Sequence, residues 1–420
     1  MAENIIAGID VGTTKVCTLI AELQGIGEYQ ILGFGVEPSQ GMRKGVVVNV
    51  DEASAAIRAS VEKAERTAGV EIPSAFISIA GSQVSSVNSN GVAGISQNQW
   101  GIDQTDIDRA LDAAQAISIP HGRQVVHVIP RGFIVDQQEG VRSPLGMHGF
   151  RLEVEAHIVT AASSSIQNLE KCIQNSGIQV EGQVLNPLAS AEVTLTDTER
   201  EMGVILCDIG GGTVDLAIFI DGTVWHTMVL PIGGNHITND IAHGLRLPIN
   251  VAEELKVKHG HARSRDIDPS ETLTITPFGA ENPQRISRKD LSLIIEARAE
   301  EIFSLVLQEI KRSGYDGLLP AGIVITGGSA HLPGLRTVAS DIMRLPARVA
   351  GPTGLRGLTD QLEGKPEYAT AVGLLAWAAT DLLIDSQQRA ANRAAAPPLN
   401  GDFGRLITQL RDWWKRMTPG

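Results

Sequence analysis

The sequence predicts an α/β protein built from two related lobes that face a cleft. Two observations carry that expectation. A strand, a glycine-bearing turn and a second strand open the chain (Ile5 to Asp10, then Val16 to Ala21), and the same unit returns near its middle (Val204 to Asp208, then Leu216 to Ile220). Duplicated units of this kind point to lobes built alike. The chain has 420 residues, 43% of them hydrophobic and 20% charged, which describes a globular protein too long for one ordinary domain.

The remaining elements follow in order. A helix is expected from about Glu52 to Thr67, with Ala, Ile and Val on one face, and a short apolar strand from Ala75 to Ala80. From about Val84 to Val159 the composition turns to Ser, Asn, Gln and Gly, with strand-like pieces at Gln124–Ile129 and Phe133–Val135. This stretch reads as an inserted small α/β subdomain. A third apolar strand, Gly322 to Thr326, ends in Gly327-Gly328-Ser329. Ala371 to Ala379 is too short to cross a bilayer and reads as a buried helix. Residues 386–402, rich in Ala, Asn, Gln and Pro, read as a flexible linker.

Several function classes are disfavoured. The net charge of −13 opposes general nucleic-acid binding, which needs basic surface to displace counterions, and 4% aromatics supply few stacking platforms. Three separated cysteines, Cys17, Cys172 and Cys207, suggest no disulfide framework and no CxxC site, so a reducing cytoplasm is the simplest compartment. The start, Met1-Ala2-Glu3-Asn4, lacks the features of a signal peptide. The ten histidines show no metal-ligand spacing.

Two loops carry the chemistry. In Asp10-Val11-Gly12-Thr13-Thr14-Lys15, glycine admits close approach of an anion, successive N–H groups and Thr hydroxyls donate to it, and Lys15 adds a point charge. Asp10 suits a hydrated Mg²⁺. An ordinary hairpin turn explains the same residues. In Asp208-Ile209-Gly210-Gly211-Gly212-Thr213, three glycines inside an apolar hairpin fit a closely held phosphate, with Asp208 a second carboxylate for the metal; a bulge or a turn needing positive φ is the rival explanation. Gly327, Gly328 and Ser329 leave backbone open to a base or ribose, although a common strand-to-helix turn does the same. Gly233-Gly234-Asn235 opens a helix whose N–H groups can face phosphate. Glu253 and Lys256, three apart on a helix, suit a ribose and a purine, or form a solvated surface pair.

These elements, with Asn186-Pro187-Leu188-Ala189-Ser190, Lys256-Val257-Lys258-His259-Gly260, Gly357-Leu358-Thr359-Asp360 and the run Ala369 to Leu375, resemble the FtsA family of the actin-like ATPase superfamily across essentially the whole chain. The resemblance implies a two-lobed actin-like (ribonuclease-H-like) fold. It places first-lobe core at 1–83, the insert at 84–160, a return to the first lobe with a connecting helix at 161–199, and the second lobe at 200–385, with a small subdomain at about 240–300. It implies ATP between the lobes, with Gly12, Thr13, Thr14 and Lys15 on phosphates from one side and Gly210, Gly211, Gly212 and Thr213 from the other. Gly234, Asn235, Glu253, Lys256, Gly327, Gly328 and Ser329 complete the nucleotide site, and Asp10 and Asp208 sit near Mg²⁺, through water. Asn186 stands where some superfamily members place Glu or Gln. Asn is not a base, so the resemblance implies ATP binding rather than efficient turnover. The implied role is polymerisation of the chain and tethering of FtsZ, through the FtsZ C-terminal peptide, to the cytoplasmic face of the inner membrane at the division site, alongside other division proteins. A pilus-type adaptor or a small-molecule kinase of the superfamily is the alternative.

The last segment, 403–420, has its own character. Phe403, Leu406, Ile407, Leu410, Trp413, Trp414 and Met417 recur at three- and four-residue spacing, one stripe of a helix. Arg405, Arg411, Lys415 and Arg416 lie among them, and Asp412 is the only acid after residue 402. Paired Trp and basic residues on an apolar stripe suit a helix lying in an anionic membrane surface. A helix docked on the protein's own core, or in a partner's groove, has the same periodicity.

Overall fold

The computed structural model describes residues 4–25, 28–95, 101–116, 119–354 and 359–380. The linker and the amphipathic segment of 386–420 lie outside the described residues. The first sheet is begun by β1 (Ile5–Val11), β2 (Lys15–Gly25) and β3 (Glu28–Pro38), each antiparallel to the next, so the opening hairpin is longer than its sequence suggests and continues into a third strand. A two-residue ladder, β4 (Met42–Arg43) with β5 (Val46–Val47), leads to α1 (Val50–Ala68). The Asn49 side chain caps the first amides of α1, Gly69 closes it in the left-handed region, and its inward stripe is Ala53, Ile57, Val61 and Ala64. β6 (Ser74–Ile79) then pairs parallel to β1.

The insert holds β7 (Ser85–Gly94), α2 (Gln104–Gln115), β8 (Arg123–Val135), β9 (Gln138–Val141) and β10 (Arg151–Ala162), in the sheet order β7-β10-β8-β9. The two strand pieces expected at 124–129 and 133–135 are one strand, β8, whose register against β10 slips so that Arg131 is the extra residue of a bulge. The chain returns through α3 (Ser163–Asn175) to β11 (Gln179–Leu185), beside β6, and crosses over on α4 (Asn186–Thr194) and α5 (Asp197–Met202).

The second sheet repeats the first. β12 (Val204–Ile209), β13 (Val214–Ile220) and β14 (Thr223–Leu230) form its meander. After α6 (Gly234–Leu245), α7 (Ile249–His259), the hairpin β15 (Thr272–Ile275) and β16 (Gln284–Ser287), and α8 (Arg288–Ser313), strand β17 (Gly322–Thr326) pairs parallel to β12. α9 (Leu335–Met343) and β18 (Ala347–Val349) follow, and residues 369–380 form a helix, α10. The orders β11-β6-β1-β2-β3 and β18-β17-β12-β13-β14 have the same topology and the same pattern of parallel and antiparallel pairs.

α4 and α10 share one buried cluster with both sheets. It joins Leu188, Ala189, Val372 and Leu375 to Leu19 and Ala21 of β2 and to Val204 and Leu206 of β12. α4 is buried almost all round, as a helix between two sheets must be. The two helices meet backbone to backbone: a Cβ on Gly373 would lie 1.9 Å from the carbonyl oxygen of Ala189. This crossing sets the glycine loops of the two lobes opposite each other.

Candidate functional site

Each first hairpin ends in the same turn. Gly12 N–H donates to the Lys15 carbonyl and Gly210 N–H to the Thr213 carbonyl, both at 3.0 Å. The sequence left open whether the glycine triplet serves a positive φ. It does not: Gly210, Gly211 and Gly212 are absent from the left-handed region. Close approach decides them instead. A Cβ on Gly211 would lie 2.3 Å from Thr14 Cγ2, and one on Gly212 would lie 2.6 Å from Thr13 Oγ1. The loops of the two lobes touch because neither of these residues has a side chain.

Between the lobes lies a cavity of about 450 Å³. Its lining contains every nucleotide and metal residue expected from sequence, from Asp10 and the Gly12–Lys15 loop through Asp208, the Gly210–Thr213 loop, Gly234, Asn235, Glu253 and Lys256 to Gly327, Gly328 and Ser329. Asn186, which stands where some superfamily members place Glu or Gln, lines it too, and so do Asp215, His331, Glu367, Tyr368 and Thr370, which the sequence did not single out for the site.

Three buried carboxylates mark one end. Asp10 accepts from Ser78 Oγ of β6 at 2.8 Å, and burial raises its pKa against the pull of Lys15 and Ser78. Asp208 accepts from Ser190 Oγ of α4 at 2.7 Å and from Thr370 Oγ1 of α10 at 3.2 Å. Burial, with Asp10 adding to it, pushes Asp208 up to about 6 despite those hydroxyls. Asp215 faces Asp208 in the β12–β13 register and accepts from Thr213 Oγ1 at 2.9 Å. Burial and the neighbouring Asp208 and Asp10 raise it well above the carboxylate range. The matching position in the first lobe is Cys17, so the third acid has no counterpart there.

Lys15 crosses the cleft. Its amine donates to the Glu367 carbonyl and sits 4.0 Å above the Tyr368 ring. His331 bonds the Glu367 carboxylate; burial would raise that carboxyl, but the His331 bond and other contacts hold it below its usual range. The first amides of α6 are engaged: Gly234 N–H donates to the Gly210 carbonyl at 2.9 Å and Asn235 N–H to that of Gly211 at 2.8 Å. The helix therefore braces the second loop, and these two N–H groups do not point freely at an anion. Glu253 and Lys256 pair at 2.7 Å, with the Lys256 amine also donating to Thr238 Oγ1 at 2.8 Å and to the Gly234 carbonyl at 3.2 Å. With its side chain only 14% exposed, Lys256 is part of the cavity wall rather than of a solvated surface pair.

The donor set fits a hydrated divalent cation. Asp215 Oδ1 and Asn186 Oδ1 are buried without a hydrogen-bond partner at the cavity wall, and the three raised carboxylates gain from nearby positive charge. Among the described residues no group of three His, Cys, Asp or Glu side chains is arranged to grip a metal directly. Oxygen ligands acting through retained water are the habit of Mg²⁺.

The chain is 43% identical to the cell division protein FtsA of Pseudomonas aeruginosa over 89% of its own length and 88% of that protein's. It belongs to the FtsA family. FtsA of Escherichia coli K12 is 32% identical over 99% of this chain and 98% of its own, and that of Bacillus subtilis 35% identical over 92% and 86%. The family profile described as "Cell division protein FtsA" matches residues 205–373, and "SHS2 domain inserted in FTSA" matches 81–160. Solved structures share the actin-like fold at low identity. A PilM-PilN type IV pilus biogenesis complex aligns with TM-score 0.63 and 15% identity, covering 88% of this chain and 97% of that one. MreB5 of Spiroplasma citri bound to ADP aligns with TM-score 0.54 and 12% identity, covering 94% and 100%. The chain is thus a cell division protein of actin-like fold.

Proposed function

We propose that this FtsA-family protein binds Mg-ATP between its lobes, polymerises, and tethers FtsZ, through the FtsZ C-terminal peptide, to the cytoplasmic face of the inner membrane by its C-terminal helix. The observation that carries the nucleotide reading is the meeting of both glycine loops and three buried acids around one cavity. The ADP and AMPPNP bound in the MreB5 structures, which align over more than nine-tenths of this chain, support it. That the relatives are cell division proteins supports the division role. Among the described residues no helix is long and apolar enough to cross a membrane, and attachment in this reading falls to Phe403, Leu406, Ile407, Leu410, Trp413 and Trp414, with Arg411, Lys415 and Arg416 toward the headgroups.

Mg²⁺ supplies positive charge that neutralises both phosphate and buried carboxylate. The protein's residues do the rest. Gly12–Lys15 and Gly210–Thr213 hold phosphate from opposite lobes, so an occupied cleft ties the lobes together. Ser190 and Thr370 fix Asp208 to α4 and α10, the helices both lobes share, so a change at the acid is felt in both. A ligand that prefers the closed arrangement shifts the population toward it, and a filament selects one protomer shape. Asn186 at the head of α4 has no basic group to offer a water, and ATP acts here as an assembly ligand.

Membrane attachment follows similar arithmetic. Each basic residue near an anionic leaflet contributes about 1 kcal/mol, so one helix binds reversibly and a filament carrying many binds firmly. Liposome co-sedimentation of the intact chain and of a chain ending at Ser386, with and without Mg-ATP, followed by electron microscopy, tests the proposal. Filament-coated vesicles from the intact chain alone support it. Equal sedimentation of both chains removes the helix as anchor, and absence of filaments removes the polymer.

A further inference from the structure

Away from the cavity, the insert docks on β14, the outer strand of the second-lobe sheet. Val224 and Val229 of β14 share a buried cluster with Ile129 and Val159 of the insert. Around this apolar strip the contacts are polar. Ser86 Oγ on β7 donates to the Thr227 carbonyl at 2.8 Å, and the Thr223 hydroxyl to the Arg131 carbonyl at 3.4 Å. The bulge in β8 aims the Arg131 guanidinium over Trp225, 4.3 Å from the ring centre, and Arg142 forks onto Glu201 at 2.9 and 3.1 Å.

His157 of β10 sits at the centre of this face, 1% exposed. Its Nδ1 lies 2.6 Å from Asn88 Oδ1 and its Nε2 lies 2.9 Å from Thr227 Oγ1. The Asn88 amide nitrogen is directed at the Tyr315 hydroxyl, so its oxygen faces the ring, and an amide oxygen only accepts. Nδ1 therefore carries the hydrogen, and Nε2 accepts from the Thr227 hydroxyl. The ring is neutral with both nitrogens engaged. The charged and titratable groups around it oppose a second proton: β8 brings Arg131 and His127, and β14 brings His226, whose ring centre is 6.3 Å away. α8 brings Glu309 and Arg312, but Glu309 is occupied by His226 at 2.8 Å and by Arg312. β7 contributes only the neutral Asn88 and Ser86. On β10 itself Glu155 and Glu153 stand two and four residues away, and Glu153 pairs with Arg151.

We propose that this joint is a proton-sensitive clasp, in which protonation of His157 releases the insert from β14 and uncovers the outer edge of the second-lobe sheet. Burial, then His226, Arg131 and His127, depress the docked ring to about 3. Below the ordinary histidine range, near 6.5, a released insert takes up a proton that the docked one refuses, so docking weakens about tenfold per pH unit down to about pH 3. Release matters because an outer strand with open N–H and C=O groups is a ready template for pairing with another chain.

The test is thiol labelling of the full-length Val224→Cys chain, at a position 1% exposed under the insert. Dividing the labelling rate by that of a free thiol at each pH gives the opening constant even when opening is rare. The constant is expected to rise about tenfold per pH unit from about 6.5 to 5, while Cys207 in the sheet core stays unlabelled. In the His157→Gln background it is expected to lose that slope. A constant that is flat with pH in the parent, or that rises equally in both backgrounds, overturns the clasp. Should His157→Gln fail to fold, Thr227→Val decides: it removes the hydroxyl partner of the neutral ring and is expected to raise the opening constant near pH 7 with the pH slope kept. An unchanged constant overturns the proposal.

Discussion

Replacing Asp208 with Asn is expected to stabilise the ligand-free protein while abolishing its response to Mg-ATP. Asp208 binds its proton more tightly folded than unfolded, at about 6 against an ordinary carboxylate near 4. Stability is therefore full below the ordinary range and falls as pH rises toward 6. By pH 7 the buried charge costs about 3 kcal/mol at 1.36 kcal/mol per pKa unit. Asn keeps an oxygen for Ser190 and Thr370 and carries no charge. Its amide nitrogen faces the cavity and recovers less than a full partner, so 3 kcal/mol is an upper bound. At roughly 2–4 °C per kcal/mol for a lobe-sized unit, the ligand-free Tm should rise by up to about 10 °C at pH 7.5. The gain should vanish by about pH 3, below the ordinary carboxylate range, where Asp208 is neutral in both states. With nucleotide at a hundredfold over its Kd the parent gains about 2.7 kcal/mol, and the variant should gain little. Differential scanning fluorimetry across pH, with and without Mg-ATP, measures both effects. A ligand-free Tm at or below that of the parent refutes the burial argument. A parent-sized shift with Mg-ATP removes Asp208 from the cation site.

Other outcomes follow from the same geometry. Gly212→Val pushes side-chain carbon into Thr13 and the Lys44 backbone, so the loops separate; nucleotide binding, read by fluorescent-analogue titration, should fall at least tenfold with the circular dichroism spectrum unchanged. Gly373→Ala sets a methyl against the Ala189 carbonyl where α10 crosses α4, and should cost roughly 1–3 kcal/mol in urea unfolding. Lys256→Ala leaves Glu253 without its cation and opens the wall beside Thr238, so nucleotide affinity should drop while vesicle binding stays at the parent level. Trp413→Glu with Trp414→Glu should do the reverse, losing co-sedimentation with anionic liposomes and keeping nucleotide affinity.

Much of this protein is written in local sequence. Hairpins, glycine turns and the buried run at 371–379 are legible because apolar alternation and turn residues act over a few positions. The two loop motifs were legible as a pair because each follows a strand and carries an acid at the same offset. Asp215 was not, although it lies just past the second loop. Its role comes from antiparallel register, which sets it opposite Asp208 and two residues beyond Thr213. Ser190 and Thr370 are far from Asp208 along the chain, and only the crossing of α4 and α10 turns ordinary hydroxyls into its partners. In the sequence alone the glycine triplet means room for phosphate or for a positive φ. The fold gives it a further duty, letting two loops touch, which depends on a lobe placed by residues elsewhere. Sequence thus determined the elements, the loop chemistry and the family, since these depend on neighbours along the chain. Tertiary structure alone decided that Asp215 joins Asp10 and Asp208 at one cavity, where Lys15 reaches, and that His157 lies buried against β14, because burial and field depend on neighbours in space.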